Sequence, residues 1–178
     1  NAGHKVLGLA RSDASAASIE ALGADVQRGS IDDLDSLRAG AASSDGVVHL
    51  AYNHDFSRMD DAAQTDRQAI DAFGEILEGT DRPLVIASGV LGMSPGRTAT
   101  ERDRPDPTTH PRIANAAATL ALATRGVRSA VVRFAPTVHG AGDHGFVARL
   151  VEIANVGHAP TFLHEDQIAI ARDFLLNH

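Results

Sequence analysis

The sequence predicts an α/β domain in which a mostly parallel sheet is covered by helices on both faces. Short β-rich apolar runs alternate along the chain with segments of helical period. The run at 46–52, GVVHLAY, is apolar almost throughout, as expected of a parallel strand buried on both faces. The length of 178 residues suits one domain with a sizeable core. We therefore expect residues 1–178 to form a single domain.

The individual elements follow from local signals. The predicted strands lie at 4–10, 25–29, 46–52, 82–89 and 128–136. The predicted helices lie at about 12–24, 30–43, 58–78 and 112–125. The first helix has a candidate N-cap at Ser12 or Asp13 and a stop at Gly23. The apolar stripe of the third helix is predicted to consist of Ala62, Ile70, Phe73 and Leu77. Four of the seven prolines fall in 92–111, which predicts a long surface loop.

Composition excludes several classes of function. The net charge of -7, without a cluster of lysine and arginine, argues against nucleic-acid binding. No apolar run approaches the ~20 residues that cross a bilayer, and no basic and apolar leader indicates secretion. The absence of cysteine excludes disulfides and thiolate metal sites and favours a cytoplasmic protein.

Five segments carry a resemblance to a known family. In chain order they are GHKVLGLARS, GADVQRGSIDDLDSL, DGVVHLAYNHDF, PLVIASG and RGVRSAVVRFAPTVHGAGDHGF. Taken together, residues 1–152 resemble the extended or atypical short-chain dehydrogenase/reductase family, in particular its NAD(P)-dependent epimerase/dehydratase branch. The resemblance implies a Rossmann-like three-layer αβα sandwich, an oxidoreductase-like function with NADP or NAD, and a small-molecule substrate. The resemblance is also compatible with a homo-oligomer.

The resemblance also implies positions for the adenosine end of the cofactor. Arg11 and Ser12 match the residues that hold the 2'-phosphate of NADP, where a guanidinium suits a phosphate and an acid favours NAD. Ser30 and Ile31 match the segment that flanks the adenine. The alternative for Arg11 and Ser12 is a solvated helix start.

Other matches lie at the ends of later strands. Leu50, Ala51 and Tyr52 match the wall beside the cofactor ribose and pyrophosphate, and Ser88 takes the place of the substrate-polarising Ser or Thr. Tyr52 could instead pack in a cleft, and Ser88 could be a turn residue at the end of a strand. The segment beside the nicotinamide carboxamide is matched by Pro136, Thr137 and Val138.

Two features of the family are missing. The first strand and its glycine-rich loop have no counterpart, which would leave a gap between the strands at 4–10 and 46–52 with unpaired backbone groups on both sides. The Tyr-x-x-x-Lys pair is also absent from the helix at 112–125, where His110 or Arg112 could replace part of it. The family's carbonyl reduction therefore lacks its proton donor.

The tail points to a different enzyme class. Residues 153–178 resemble the C-terminal end of α/β-hydrolases, where GHAP carries the catalytic histidine. His158 would then be the general base and Ser88 the nucleophile, although no G-x-S-x-G motif is present. The orienting acid would be Asp143 or Asp106. The alternatives to an oxidoreductase are thus an ester or lactone hydrolase, or a non-catalytic module completed by a partner chain.

A metal site is not expected. The loop HGAGDHG offers His139, Asp143 and His144, but three ligands on one flexible loop without a supporting helix favour a solvated loop.

Overall fold

The computed structural model describes residues 3–53, 58–90, 93 and 96–135. The elements are, in chain order, β1 (Leu7–Ala10), α1 (Asp13–Ala21), β2 (Asp25–Arg28), α2 (Leu34–Ala42), β3 (Val47–His49), α3 (Met59–Leu77), β4 (Pro83–Gly89), α4 (Pro111–Ala121) with a 3₁₀ turn at Leu122–Arg125, and β5 (Arg128–Phe134). Each predicted strand and helix in this part of the chain is present, which confirms the α/β class.

The chain divides into two compact units. The first comprises Asn1–Ser88 and Gly92–Arg133, and the second comprises Gly89–Leu91 and Phe134–His178. Nearly all the described residues belong to the first unit, and the packing described below is that of this unit. The single domain over 1–178 stays a prediction.

The strands form two separate small sheets. β1 pairs in parallel with β2, with Leu7 opposite Asp25. The other sheet has the order β3-β4-β5, and β3 runs parallel to β4 with Val47 opposite Leu84. Within the described residues no backbone hydrogen bond joins β1 to β3. This interruption agrees with the gap that the missing strand predicts.

Local capping fixes where the helices begin and end. Ser12 is the N-cap of α1 and accepts a hydrogen bond from the backbone N–H of Ser15 at 3.1 Å. Asp33 caps α2 through the N–H of Ser36 at 3.2 Å, so this helix starts at Leu34 and the prediction of a start at residue 30 was wrong. Gly126 ends the 3₁₀ turn after α4 in the left-handed conformation, with φ 73.

The core lies between α2, α3 and β4. The predicted stripe of α3 is buried, and Ile70 and Leu77 are completely inaccessible to solvent. They pack with Leu37 of α2 and with Leu84 and Ile86 of β4. α2 also packs on β2, so it connects the two sheets. None of the described helices is long and apolar enough to cross a membrane.

The strand β3 is not buried on both faces, and the prediction of two buried faces was wrong. Val48 is 66% exposed and Leu50, just after the strand, is 64% exposed, whereas His49 is buried. The cause is the interruption of the sheet, which leaves β3 at an edge with no described element over the Val48 side. Leu7 and Leu9 of β1 are partly exposed in the same way.

The side chain of Arg82 forms hydrogen bonds with the carboxyl ends of both α2 and α3. One terminal nitrogen (Nη1) donates to the carbonyls of Ala41 at 2.9 Å and Ser44 at 2.7 Å, and the other (Nη2) donates to Ile76 at 2.9 Å. These carbonyls lie at the carboxyl ends of α2 and α3, where the helix dipole favours a cation. The guanidinium therefore stabilises the α2·α3 packing that holds the core.

Replacement of Arg82 by methionine should lower the free energy of unfolding by about 2–3 kcal/mol, because hydrogen bonds to a charged group are lost and half-buried carbonyls are left without donors. Urea unfolding measures this change. Arg67, whose only partner in the described structure is Asp71 on the same exposed helix face, provides the matched control. Arg67→Met should cost less than ~1 kcal/mol. Equal losses in the two variants would contradict the role given to Arg82.

Candidate functional site

A cleft of about 460 Å³ lies at the carboxyl ends of β1, β2 and β3. It is lined by Leu9, Arg11, Ser15, Gly29, Ser30, Ile31, Asp32, Ala51, Tyr52 and Asn53. The chain crosses from β2 on one side of the sheet interruption to β3 on the other, and such a switch point is where open parallel sheets bind ligands. Five residues predicted to bind a cofactor share this cleft: Arg11, Ser30, Ile31, Ala51 and Tyr52.

Arg11 gives the cleft its positive charge. It is exposed and forms no salt bridge with any acid among the described residues. Arg28, at the end of the neighbouring strand, is instead paired with Asp13. Asp32 also lines the cleft and supplies a hydrogen-bond acceptor. The cleft therefore offers one unpaired guanidinium for an anionic group and one carboxylate for a hydroxyl or amine.

Two of the predicted residues lie outside the cleft wall. Ser12 is occupied as the N-cap of α1, and its hydroxyl also lies 2.9 Å from that of Ser15. Leu50 is largely exposed and does not line the cleft. Their predicted roles at the cofactor stay predictions.

Gly29 shapes the floor of the cleft and was not predicted. A Cβ at this position would overlap the side chain of Ser36 in the first turn of α2. Only glycine allows the chain leaving β2 to pass so close to that helix. The late start of α2 leaves Ser30 and Ile31 in a loop beside the cleft. The sequence signal for this close approach was Gly29 itself, at the end of the strand predicted over 25–29.

A buried polar network lies at the carboxyl end of β3. Nε2 of His49 is 2.8 Å from one carboxylate oxygen of Asp66, and Nδ2 of Asn115 donates to the other oxygen at 2.7 Å. The same Asn115 nitrogen donates to the carbonyl of Ala63 at 2.9 Å. Because a carboxylate only accepts hydrogen bonds, Nε2 of His49 carries the proton. The network thus joins β3, α3 and α4 below the end of β3.

Tyr52 connects this end of the sheet to α4. The guanidinium carbon of Arg112 lies 4.1 Å from the centre of the Tyr52 ring, in cation–π contact. Burial raises the pKa of Tyr52, and Arg112 partly opposes this effect. His110 is the N-cap of α4, and its Nδ1 accepts from the backbone N–H of Arg112 at 3.1 Å. The structure therefore gives His110 a capping contact and Arg112 a contact with the cleft's aromatic residue.

Of the residues predicted to act in a hydrolase, Ser88 and Asp106 lie in the described part of the chain. Ser88 is half-buried near the carboxyl end of β4, and its hydroxyl forms no hydrogen bond with another described residue. Asp106 forms a turn with Thr108, whose N–H and hydroxyl lower the pKa of the carboxyl group. His158 and Asp143 lie outside the described residues, so a Ser88–His158 pair stays a prediction.

The predicted nicotinamide and metal positions also lie outside the part of the chain that is described. These positions are Pro136, Thr137, Val138, His139, Asp143 and His144. Over 3–53, 58–90, 93 and 96–135, no three His, Cys, Asp or Glu side chains are grouped in a way that could hold a metal ion.

Two curated relatives share substantial sequence identity with the chain. An uncharacterized protein of Schizosaccharomyces pombe is 44% identical over 154 residues, which are 86% of this chain and 52% of the relative. An uncharacterized protein of Saccharomyces cerevisiae is 39% identical over 157 residues, 86% of this chain and 53% of the relative. The chain thus spans about half the length of these relatives. No protein-family model matches the chain.

Solved structures share the fold at low identity. A putative epimerase from Burkholderia cenocepacia superposes with a TM-score of 0.60 at 21% identity, over 88% of this chain and 54% of that protein. The Bordetella bronchiseptica enzyme WbmH in complex with NAD+ gives a TM-score of 0.59 at 18% identity, over 87% and 55%. The chain has a Rossmann-like fold. A short-chain dehydrogenase/reductase superfamily protein from Agrobacterium tumefaciens with bound NAD shares this Rossmann-like fold with a TM-score of 0.50 at 17% identity, over 98% of this chain and 63% of that protein. The fold implied by the family resemblance is therefore confirmed.

The buried network of His49, Asp66 and Asn115 supports the end of β3. Replacing one carboxylate oxygen of Asp66 by an NH₂ group should therefore lower the free energy of unfolding. In Asp66→Asn, the side chain keeps one acceptor oxygen, and its NH₂ group would face either Nδ2 of Asn115 or Nε2 of His49. One buried donor therefore loses its acceptor. We expect a loss of about 1–3 kcal/mol in unfolding free energy. Asp71→Asn, at an exposed pair with Arg67, should cost less than ~1 kcal/mol. Chemical denaturation compares the two variants, and an unchanged stability of Asp66→Asn would contradict the network.

Proposed function

We propose that the cleft binds the adenosine end of a nicotinamide dinucleotide, with NADP preferred to NAD. The proposal extends to the protein as a whole, which we infer to be an oxidoreductase-like member of the short-chain dehydrogenase/reductase family. The observation that carries it is the unpaired guanidinium of Arg11 in a cleft at the switch point of a parallel Rossmann-like sheet.

The charge around Arg11 supports a phosphate as the ligand group. Arg11 directly precedes the cap of α1, and Ser15 in the first turn of that helix lines the cleft. The amino end of a helix carries partial positive charge, which adds to the charge of the guanidinium. A planar guanidinium binds a phosphate with paired charge-assisted hydrogen bonds. The 2'-phosphate of NADP supplies such a group, and NAD does not.

The volume of the cleft is large enough for the adenosine end of a dinucleotide. A volume of about 460 Å³ falls within the usual range for small-molecule sites, roughly 300–1,000 Å³. Ile31 and Leu9 provide apolar surface, while Ser30 and Asp32 provide polar atoms. This mixture suits a base and a ribose.

The catalytic chemistry of the family is not carried by this chain in its usual form. α4 contains neither tyrosine nor lysine, so the usual proton donor and its cationic neighbour are absent from that helix. We therefore propose that the protein binds the cofactor and a small-molecule substrate but does not carry out the standard carbonyl reduction.

A second candidate is a module completed by another segment or chain. It is favoured by the interruption between β1 and β3 and by the exposure of Val48 and Leu50 beside it. Unpaired strand edges with apolar neighbours favour pairing with a further strand. This candidate is compatible with nucleotide binding, because the cleft lies at the ends of the same strands.

NADPH should raise the melting temperature of the chain. At 100 times its dissociation constant it adds about 2.7 kcal/mol, or roughly 5–11 °C for a domain of this size. Arg11→Gln should weaken NADPH binding by roughly tenfold or more and leave NADH binding unchanged, because only the 2'-phosphate contact is lost. Arg67→Gln is the control of equal charge change away from the cleft. If neither dinucleotide shifts the melting temperature, the proposed function is wrong.

The open edge of β3 should promote self-association. Light scattering across a concentration series should show oligomers of the unmodified chain, and Val48→Lys should shift them toward monomer, since a charge on an edge strand opposes pairing. Leu22→Lys is the matched control, because Leu22 is 87% exposed at the C-cap of α1 and is not part of a strand. A monomer at every concentration would contradict edge pairing between copies.

A further inference from the structure

β4 and β5 begin together and are equally long. The backbone N–H of Arg128, the first residue of β5, donates to the carbonyl of Arg82, just before β4, at 3.1 Å. The two strands are neighbours and each contains seven residues, so they run in the same direction and end at the same height. Ser88 and Arg133 are each the sixth residue of their strand. Their backbones therefore lie side by side, about 5 Å apart.

The side chains of Ser88 and Arg133 project to the same face of the sheet, because side chains alternate between the two faces along a strand. Ser88 continues the two-residue spacing of Leu84 and Ile86, which are buried in the core. Arg133 lies two residues after Val131, which packs against the same core. Both side chains thus lie on the core-facing side of the sheet, close to the carboxyl ends of their strands. Open parallel sheets bind ligands at these ends.

Both side chains are half-buried and have donors that are available to a ligand. Nη2 of Arg133 donates to the backbone carbonyl of Asp103 at 3.1 Å, and its other nitrogens form no hydrogen bond with another described residue. No acid in the described part of the chain forms a salt bridge with Arg133. Charges that are removed from water are stabilised by an opposite charge, so a half-buried guanidinium without a counter-ion favours an anionic ligand.

The loop before α4 holds the guanidinium of Arg133 in place. The carboxylate of Asp103 accepts hydrogen bonds from Nη1 of Arg97 at 3.1 Å and from the backbone N–H of Thr100 at 2.6 Å. The hydrogen bonds from Arg97 and Thr100 hold the pKa of Asp103 far below its usual range, so its carboxylate stays charged and keeps these contacts at neutral pH. A guanidinium that is anchored on such a fixed loop loses little conformational entropy when it binds a ligand.

A carboxylate fits the groups that the two strands provide. A planar guanidinium donates paired hydrogen bonds to the two oxygens of a carboxylate, and a serine hydroxyl adds a further donor. We propose that Ser88 and Arg133 bind the carboxylate group of a small anionic substrate. The inference rests on the proposed function, since it takes the ligand to be the substrate of an oxidoreductase-like protein. The family resemblance implies a substrate contact for Ser88 and assigns no role to Arg133.

The absence of cysteine from the chain allows a direct test, because Ser88→Cys introduces a single thiol beside Arg133. Iodoacetate carries a carboxylate and iodoacetamide does not, and both alkylate the same thiolate. The ratio of their rates therefore reports carboxylate binding and is independent of the fraction of thiolate. We expect the ratio in Ser88→Cys to exceed that of free N-acetylcysteinamide at least tenfold, the effect of charge-assisted hydrogen bonds to one carboxylate.

Second substitutions assign the effect to Arg133. Arg133→Met, added to Ser88→Cys, should return the ratio to that of the free thiol, whereas Arg133→Lys keeps the charge and should retain part of the preference for iodoacetate. Ala87→Cys is the matched control, because Ala87 is the adjacent residue, is also half-buried and lies on the opposite face of the sheet. Its ratio should not respond to Arg133→Met. Melting temperatures verify that each variant is folded.

The results distinguish the inference from the function beneath it, because the alkylation needs no dinucleotide. Equal ratios in Ser88→Cys with and without Arg133, or the same preference for iodoacetate in Ala87→Cys, overturn the carboxylate site even if NADPH raises the melting temperature. If the ratio depends on Arg133 only at position 88 and neither dinucleotide binds, the carboxylate site stands and the proposed function is wrong.

Discussion

The interruption between β1 and β3 is the constraint on which the rest of the structure depends. Backbone groups on both flanking edges are left without a strand partner in the described part of the chain. The same interruption exposes Val48 on one side and Leu9 on the other, and it opens the cleft at the strand ends. A parallel sheet normally buries both faces and binds its ligand where the strand order reverses. Here the switch point and the gap coincide, so the cleft and the exposed edges have one origin.

In the part of the chain that the structure describes, helix packing rather than strand pairing joins the two sheets. α2 packs against both β2 and α3, and Gly29 lets the loop after β2 pass close to the first turn of α2. Arg82 satisfies carbonyls at the ends of α2 and α3, and Asp66 joins α3 to β3 and α4. These contacts fix the elements that carry the cleft, because the β1-β2 pair and β3, whose ends form its walls, share no backbone hydrogen bonds in the described part of the chain.

Sequence reasoning predicted the fold well because apolar period and capping residues act locally. The stripe through Ile70 and the fourth helix near 112–125 follow from such signals, whereas the start of α2 was missed because the helical pattern was extended back to residue 30, although the capping residue is Asp33. Family resemblance placed Arg11 and Tyr52 in one cleft, but it could not predict the Arg112–Tyr52 contact. Contacts between residues so far apart in the chain depend on tertiary packing, which neither period nor spacing encodes.

The central claim is that the ends of β1, β2 and β3 form an adenine-nucleotide site. The most direct test is a map of amide chemical shifts in the isotope-labelled chain during titration with adenosine 2',5'-bisphosphate. The account predicts saturable changes centred on residues 9–15, 29–32 and 51–53, which surround the cleft. Changes centred on the outer faces of α2 and α3, or no saturable change at all, would contradict it.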